Sequence, residues 1–213
     1  MTVLLSVLVK PNPETGITPY LLMGSDSLRI NVDVDANDNL FNEIRIENER
    51  KVFRVNDKLV SMSGRVDPKF YDGFIEFIRK NDCEITQLAD LTLNHIKQHM
   101  SEKESNEGAK FVALIGSCTD ANPRLFSIRA DKNNLGQAAV MPMYLDGYGR
   151  IGQYPAGSID FNKDIDLLET FKERVGDNFD VTNVEQAARE YLSSAASRYP
   201  KTCNQKINIE ILS

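Results

Sequence analysis

The residue with the clearest chemical potential is the second of the chain. Thr2 follows the initiator Met1 and heads the run Val3-Leu4-Leu5-Ser6-Val7-Leu8-Val9-Lys10. Removing Met1 would leave a free α-amine beside the threonine's own hydroxyl. A threonine served by that amine as base is a recognised way to activate an otherwise weak nucleophile. Many chains begin Met-Thr, so the dipeptide gains meaning only from what is folded around it. Two other sets invite chemistry. His95 and His99 are four apart on a helical stretch and could hold a metal from one face, but no third ligand is evident. Cys118 and Cys203 are thiols without an evident activating partner, which reads as inert.

The elements that would position Thr2 fall into blocks. The opening run reads as a buried strand, ended by Lys10 and the turn-prone Pro11-Asn12-Pro13. Tyr20 to Asp26 reads as a returning strand, and Arg29 to Asn48 as an exposed, Asn/Asp-rich excursion with room for a short strand. Arg50 to Val55 and Leu59 to Gly64 are strands joined by the turn Asn56-Asp57-Lys58. The period then changes. Pro68 opens a helix with Phe70, Phe74, Phe77 and Ile78 on one face, more simply core than a ligand box, and Thr86 caps a second helix.

Ala109 to Gly116 and Arg124 to Ile128 form a hairpin, and Ala138 to Tyr144 is a strand that Pro142 confines to an edge. Asp146 to Ser158 reads as a glycine-rich loop, without the strand–helix setting of a phosphate site. A third helix, Asp164 to Val175, presents Ile165, Leu168, Phe171 and Val175 on one face. A fourth opens with the capping box Thr182-Asn183-Val184-Glu185, and Ile207 to Leu212 closes the chain as a strand. Strands and helices in blocks predict an α+β fold rather than a doubly wound parallel sheet.

Bulk properties exclude several classes. A chain of 213 residues, 41% hydrophobic and 26% charged, suits one sizeable core and a single domain over residues 1–213. No apolar run approaches the roughly 20 residues of a membrane span, and the apolar start lacks the basic leader of a signal peptide. A net charge of −6 without a Lys/Arg block argues against a nucleic-acid partner. Three widely spaced cysteines, with no CxxC, point to a reducing compartment, hence the cytoplasm.

Four short stretches, read in order, resemble the proteasome β-subunit family of N-terminal nucleophile hydrolases, which includes bacterial peptidase subunits that pair with ATP-dependent unfoldases. Thr2 to Lys10 resembles the family's opening strand and places Thr2 on the nucleophile. Gly24-Ser25-Asp26 resembles the end of the second strand, where the family keeps an acid. Arg50-Lys51-Val52-Phe53-Arg54-Val55 resembles the motif of the essential lysine, placing it on Lys51. Ser63-Gly64 resembles the small-residue turn after the next strand, placing the oxyanion-hole N–H on Gly64. The hairpin from Ala109 to Ile128, the Glu185-Gln186-Ala187-Ala188 helix and the closing strand resemble later elements of the family.

The resemblance implies a four-layer α-β-β-α sandwich, a homo-oligomeric ring, a peptide or amide substrate, an ATP-dependent unfoldase as partner, and neither cofactor nor metal. In that scheme the Thr2 amine, with an ordinary pKa of about 8, takes the hydroxyl proton. Lys51 lowers the pKa of hydroxyl and amine, Asp26 holds the lysine, and Gly64 binds the oxyanion. Thr2 would be exposed by methionine aminopeptidase, without a propeptide. The chain also departs from the pattern. Pro200 falls where the family has an acid and Cys203 where it has a serine. Ala156-Gly157-Ser158 is the nearest match to the Gly-Ser-Gly turn, which makes Ser158 the partner of the amine. The rival expectations are a catalytically silent subunit of the same fold and an amidase acting on small amides.

Overall fold

The structure, a computed structural model, describes residues 2–11, 14, 16–34, 40–66, 68–102, 109–119, 122–143, 151–157 and 163–213. β1 (Val3–Val9) is buried along its whole length. Its alternate residues serve two cores, which is why the sequence is almost continuously apolar rather than half polar. Val3, Leu5, Val7 and Val9 pack with Leu167, Phe171, Val175, Tyr191 and Leu192 of α3 (Ile165–Val175) and α4 (Val181–Arg198). Leu4 and Leu8 point the other way, into a cluster with Leu21, Met23, Leu59, Leu114 and Leu125.

β1 lies between β2 (Tyr20–Asp26) and β10 (Ile151–Gly157), and β11 (Ile207–Leu212) completes an antiparallel sheet of order β10-β1-β2-β11. The second sheet is an antiparallel meander of β5 (Val52–Val55), β6 (Lys58–Arg65), β7 (Lys110–Thr119), β8 (Asn122–Asp131) and β9 (Ala139–Met143). α1 (Pro68–Lys80) and α2 (Ile85–Glu102) share a core with it, in which Phe70, Phe74, Ile78 and Leu88 meet Val60, Met62, Phe111, Ile115 and Ile128. The Leu4–Leu8 cluster draws on strands of both sheets and joins them. Gly116 marks how close they come: a Cβ there would lie 2.3 Å from a Leu21 methyl.

Several expectations need correcting. The excursion after β2 contains a hairpin, β3 (Arg29–Val34) and β4 (Leu40–Ile46), forming a two-stranded sheet of its own. Arg29 ties its base to α1, bonding Asp72 at 2.6 Å and lying 4.5 Å above the Tyr71 ring. Residues 151–157 of the expected glycine-rich loop are a strand, with Pro155 opposite Leu5. Pairing with β1 overrides the turn signals there, and an edge strand tolerates proline.

Ser63 and Gly64 lie in β6, as the strand reading of Leu59 to Gly64 expected and unlike the turn that the resemblance placed there, and Gly64 pairs with Phe111. Ile165 is 52% exposed, and Leu167 takes the buried place on α3. The helix caps shift as well. Glu84, not Thr86, caps α2 by accepting from the Thr86 and Gln87 amides. Asp180, not Thr182, caps α4 by accepting from the Thr182 amide, while Glu185 bonds Arg189. In both cases an acidic side chain earlier in the chain reaches the orphan amides first.

Candidate functional site

The expected residues converge on one end of the two sheets. Thr2 enters β1, Asp26 ends β2, and Lys51 immediately precedes β5. Asp26 is fully buried and is the hub of the arrangement. Its Oδ1 accepts from the Val3 amide at 3.0 Å and its Oδ2 from the Leu28 amide at 3.0 Å. The Lys51 ammonium donates to both oxygens, at 3.1 and 3.2 Å. One carboxylate therefore links the peptide that follows Thr2 to the lysine arriving from the other sheet. Thr2 is 5% exposed and Lys51 is 2% exposed, so all three are held in protein rather than at a solvated surface.

Electrostatics at Lys51 pull in two directions. Burial pushes its ammonium below the ordinary value of 10.5, while the Asp26 charge and hydrogen bond push it back up. Burial is the larger effect. Cys203 adjoins the pair electrically. Its thiol, 3% exposed, is pushed up first by burial and next by Asp26, with Lys51 opposing. The neutral thiol is thus favoured, and no activated thiolate is made here.

Gly64 lies on β6 two positions past Met62, whose amide donates to the Lys51 carbonyl at 3.3 Å. That places it about 7 Å further along the strand. A Cβ at Gly64 would sit 2.4 Å from the Lys110 carbonyl oxygen and 2.9 Å from the Phe111 Cα, both backbone atoms. Gly64→Ala is therefore expected to lose about 2–3 kcal/mol of stability, read from denaturant melts, because the β6–β7 ladder must open locally. Ser158 and Met1 lie outside the described residues.

Sequence reasoning missed the frame around the hub. Asn204 Oδ1 accepts from the Ser27 amide at 3.1 Å and from its hydroxyl at 3.2 Å, locking the residue after Asp26 to the segment before β11. Arg45 of the hairpin donates to the Lys201 carbonyl at 3.1 Å and the Pro200 carbonyl at 3.5 Å. An asparagine between a helix and a strand is a weak signal of such a clamp, and nothing in the sequence pairs Arg45 with that segment.

The other candidates fall elsewhere. His95 stacks on Phe77 at 3.9 Å and His99 on Phe70 at 4.0 Å, so both imidazoles help join α1 to α2. Among the described residues no three His, Cys, Asp or Glu side chains group to hold a metal. The Cys118 thiol sits 3.6 Å from the Pro19 carbonyl, and burial pushes its pKa up. An open cleft of about 790 Å³ lies by Tyr20 and Phe179, at the opposite end of β2 from Asp26, and includes none of the candidate residues.

No family model and no curated protein matches the sequence. The fold, by contrast, matches solved structures over nearly the whole chain. BPH from Thiobacillus denitrificans, solved in complex with epoxomicin, aligns with a TM-score of 0.56 at 13% identity, covering 100% of both chains. Anbu from Pseudomonas aeruginosa, solved as a helical assembly, aligns at 0.61 with 13% identity over 98% of this chain and 80% of its own. Anbu from Yersinia bercovieri, described as an ancestral beta-subunit, aligns at 0.59 with 11% identity over 98% and 81%. The chain therefore has the proteasome β-subunit-like fold that its opening strand, Asp26 and Lys51 suggested.

Proposed function

We propose that this chain is a proteasome-like threonine hydrolase that cleaves peptide or amide bonds, with Thr2 as nucleophile once Met1 is removed. The observation that carries the reading is the buried Asp26 carboxylate, which receives the Lys51 ammonium and the Val3 amide together. That geometry suits Lys51 to lower the pKa of the Thr2 hydroxyl, with the freed α-amine as base and Ser158 as its partner. Gly64 would supply the oxyanion N–H. The reading takes the chain as one domain, layered α-β-β-α. It works in a cytoplasmic homo-oligomeric ring, fed by an ATP-dependent unfoldase. Among the described residues no helix is long and apolar enough to cross a membrane.

A catalytically silent subunit is the second reading, and one observation favours it. Pro200 stands where the resemblance calls for an acid, and its carbonyl is engaged by Arg45. The neighbouring Cys203 offers a neutral buried thiol where a serine hydroxyl is expected. A peptide epoxyketone, which captures a hydroxyl and an adjacent free amine together, separates the readings. Intact-mass measurement should show Met1 removed and one label per chain, lost in Thr2→Ala and Lys51→Ala. Retained Met1 ends the hydrolase proposal, and removed Met1 without labelling selects the silent subunit. Turnover of small amides but not of unfolded chains would mark an amidase.

A further inference from the structure

Between the two larger sheets the shared cluster is apolar, with Leu8, Leu21, Leu59 and Leu114 at its middle and Leu4 and Val52 nearer Thr2 and Lys51. Ser6, Ser25 and Ser61 interrupt the same faces, Ser25 next to Asp26 and Ser61 paired with Val52, the residue after Lys51. Strand alternation places them: Ser6 falls between Leu4 and Leu8 on β1, Ser25 follows Leu21 and Met23 on β2, and Ser61 follows Leu59 on β6. The β1–β2 register sets Leu4 opposite Ser25 and Ser6 opposite Met23, so the two serines are diagonal neighbours. β6 packs across both strands from the other sheet.

Each of these serines is at most 1% exposed, and none of their hydroxyls has a hydrogen-bond partner among the described residues. A fourth orphan, the Asn204 Nδ2, belongs to the same end of β2 through the Ser27 clamp. Buried hydroxyls left bare are costly, and alanine would fill the same positions without that cost. Three of them on strands of the two packed sheets, within an otherwise apolar layer, need an occupant that both donates and accepts.

We infer that Ser6, Ser25 and Ser61 form a hydration site that binds ordered water between the sheets, behind the Thr2 end of the fold. A buried water makes about three hydrogen bonds to otherwise unsatisfied groups, which is the inventory offered here. The site belongs to the fold and does not rest on Thr2 being a nucleophile. Its water keeps polar contacts inside a layer that the leucines would otherwise leave dry, next to the strand that carries Asp26.

The test compares wild type with Ser25→Ala, Ser61→Ala and the double variant by scanning calorimetry, together with a wild-type crystal structure at about 1.5 Å. The expected results are density for water within hydrogen-bond reach, about 3 Å, of the serine oxygens, and a fall in Tm of about 2–4 °C for each alanine. A rise in Tm on alanine substitution overturns the inference, because it shows that a dry orphan hydroxyl was removed. Serine oxygens bonded to protein carbonyls, with no water, overturn it too. If an alanine variant fails to fold, the wild-type map decides alone.

Discussion

Lys51→Ala is expected to destabilise the fold by about 3–5 kcal/mol, enough to leave a marginal domain partly unfolded. The reason is what remains behind. Asp26 would stay fully buried with a carboxylate held, among the described residues, by the Val3 and Leu28 amides. Lys51→Met, which keeps much of the stem, should lose nearly as much if the uncompensated charge dominates, and much less if the cavity dominates. The double variant Asp26→Asn/Lys51→Met should lose less than the sum of its singles, because the two residues share one interaction. Chemical denaturation of the four proteins measures this, and strict additivity would remove Asp26–Lys51 as a coupled pair.

The same pair sets a pH signature. Lys51 is held below its ordinary 10.5 in the native state, so above the lowered value the unfolded chain binds more protons. Stability from this group therefore rises with pH through that window, until about 10.5 where the unfolded lysine also loses its proton. The double variant should lack that rise.

The second large effect concerns activity and rests on the proposed hydrolase. Thr2→Ala is expected to lower turnover of a peptide amide by a factor on the order of 10⁴ or more, since the nucleophile is removed while binding and oxyanion contacts remain. Thr2→Ser should keep measurable activity. The α-amine is the base in this scheme, so kcat/KM should rise to a plateau as a group with a pKa of about 8 or below loses its proton. Lys51 pulls that value down. Turnover in Thr2→Ala equal to wild type would place the chemistry elsewhere, and Cys203→Ser in the same assay asks whether the neutral thiol tolerates a hydroxyl in its place.

Much of the frame was legible because burial patterns speak locally. β1 reads as a strand buried on both faces, and the phenylalanine spacing of α1 survives unchanged in the core. The order of Thr2, Asp26, Lys51 and Gly64 along the chain is a linear property and could be compared with a family directly. What failed was set by partners elsewhere in the chain. The glycine-rich stretch at 151–157 becomes a strand only because β1 offers it a free edge. The caps of α2 and α4 went to Glu84 and Asp180 because those carboxylates reach the free amides, a competition that residue type alone does not resolve.

The sequence by itself determined most of the strands and all four helices, and the order of Thr2, Asp26 and Lys51 along the chain, but not the β3–β4 hairpin or β10. Only the tertiary structure decided that Asp26 grips both Lys51 and the Val3 amide, that Asn204 clamps Ser27, and that three serine hydroxyls are buried between the sheets without a partner among the described residues. The physical reason is range. Propensity and periodicity act over a few residues, whereas a buried charge or hydroxyl is satisfied by whatever group the fold brings within about 3 Å, however distant in the chain.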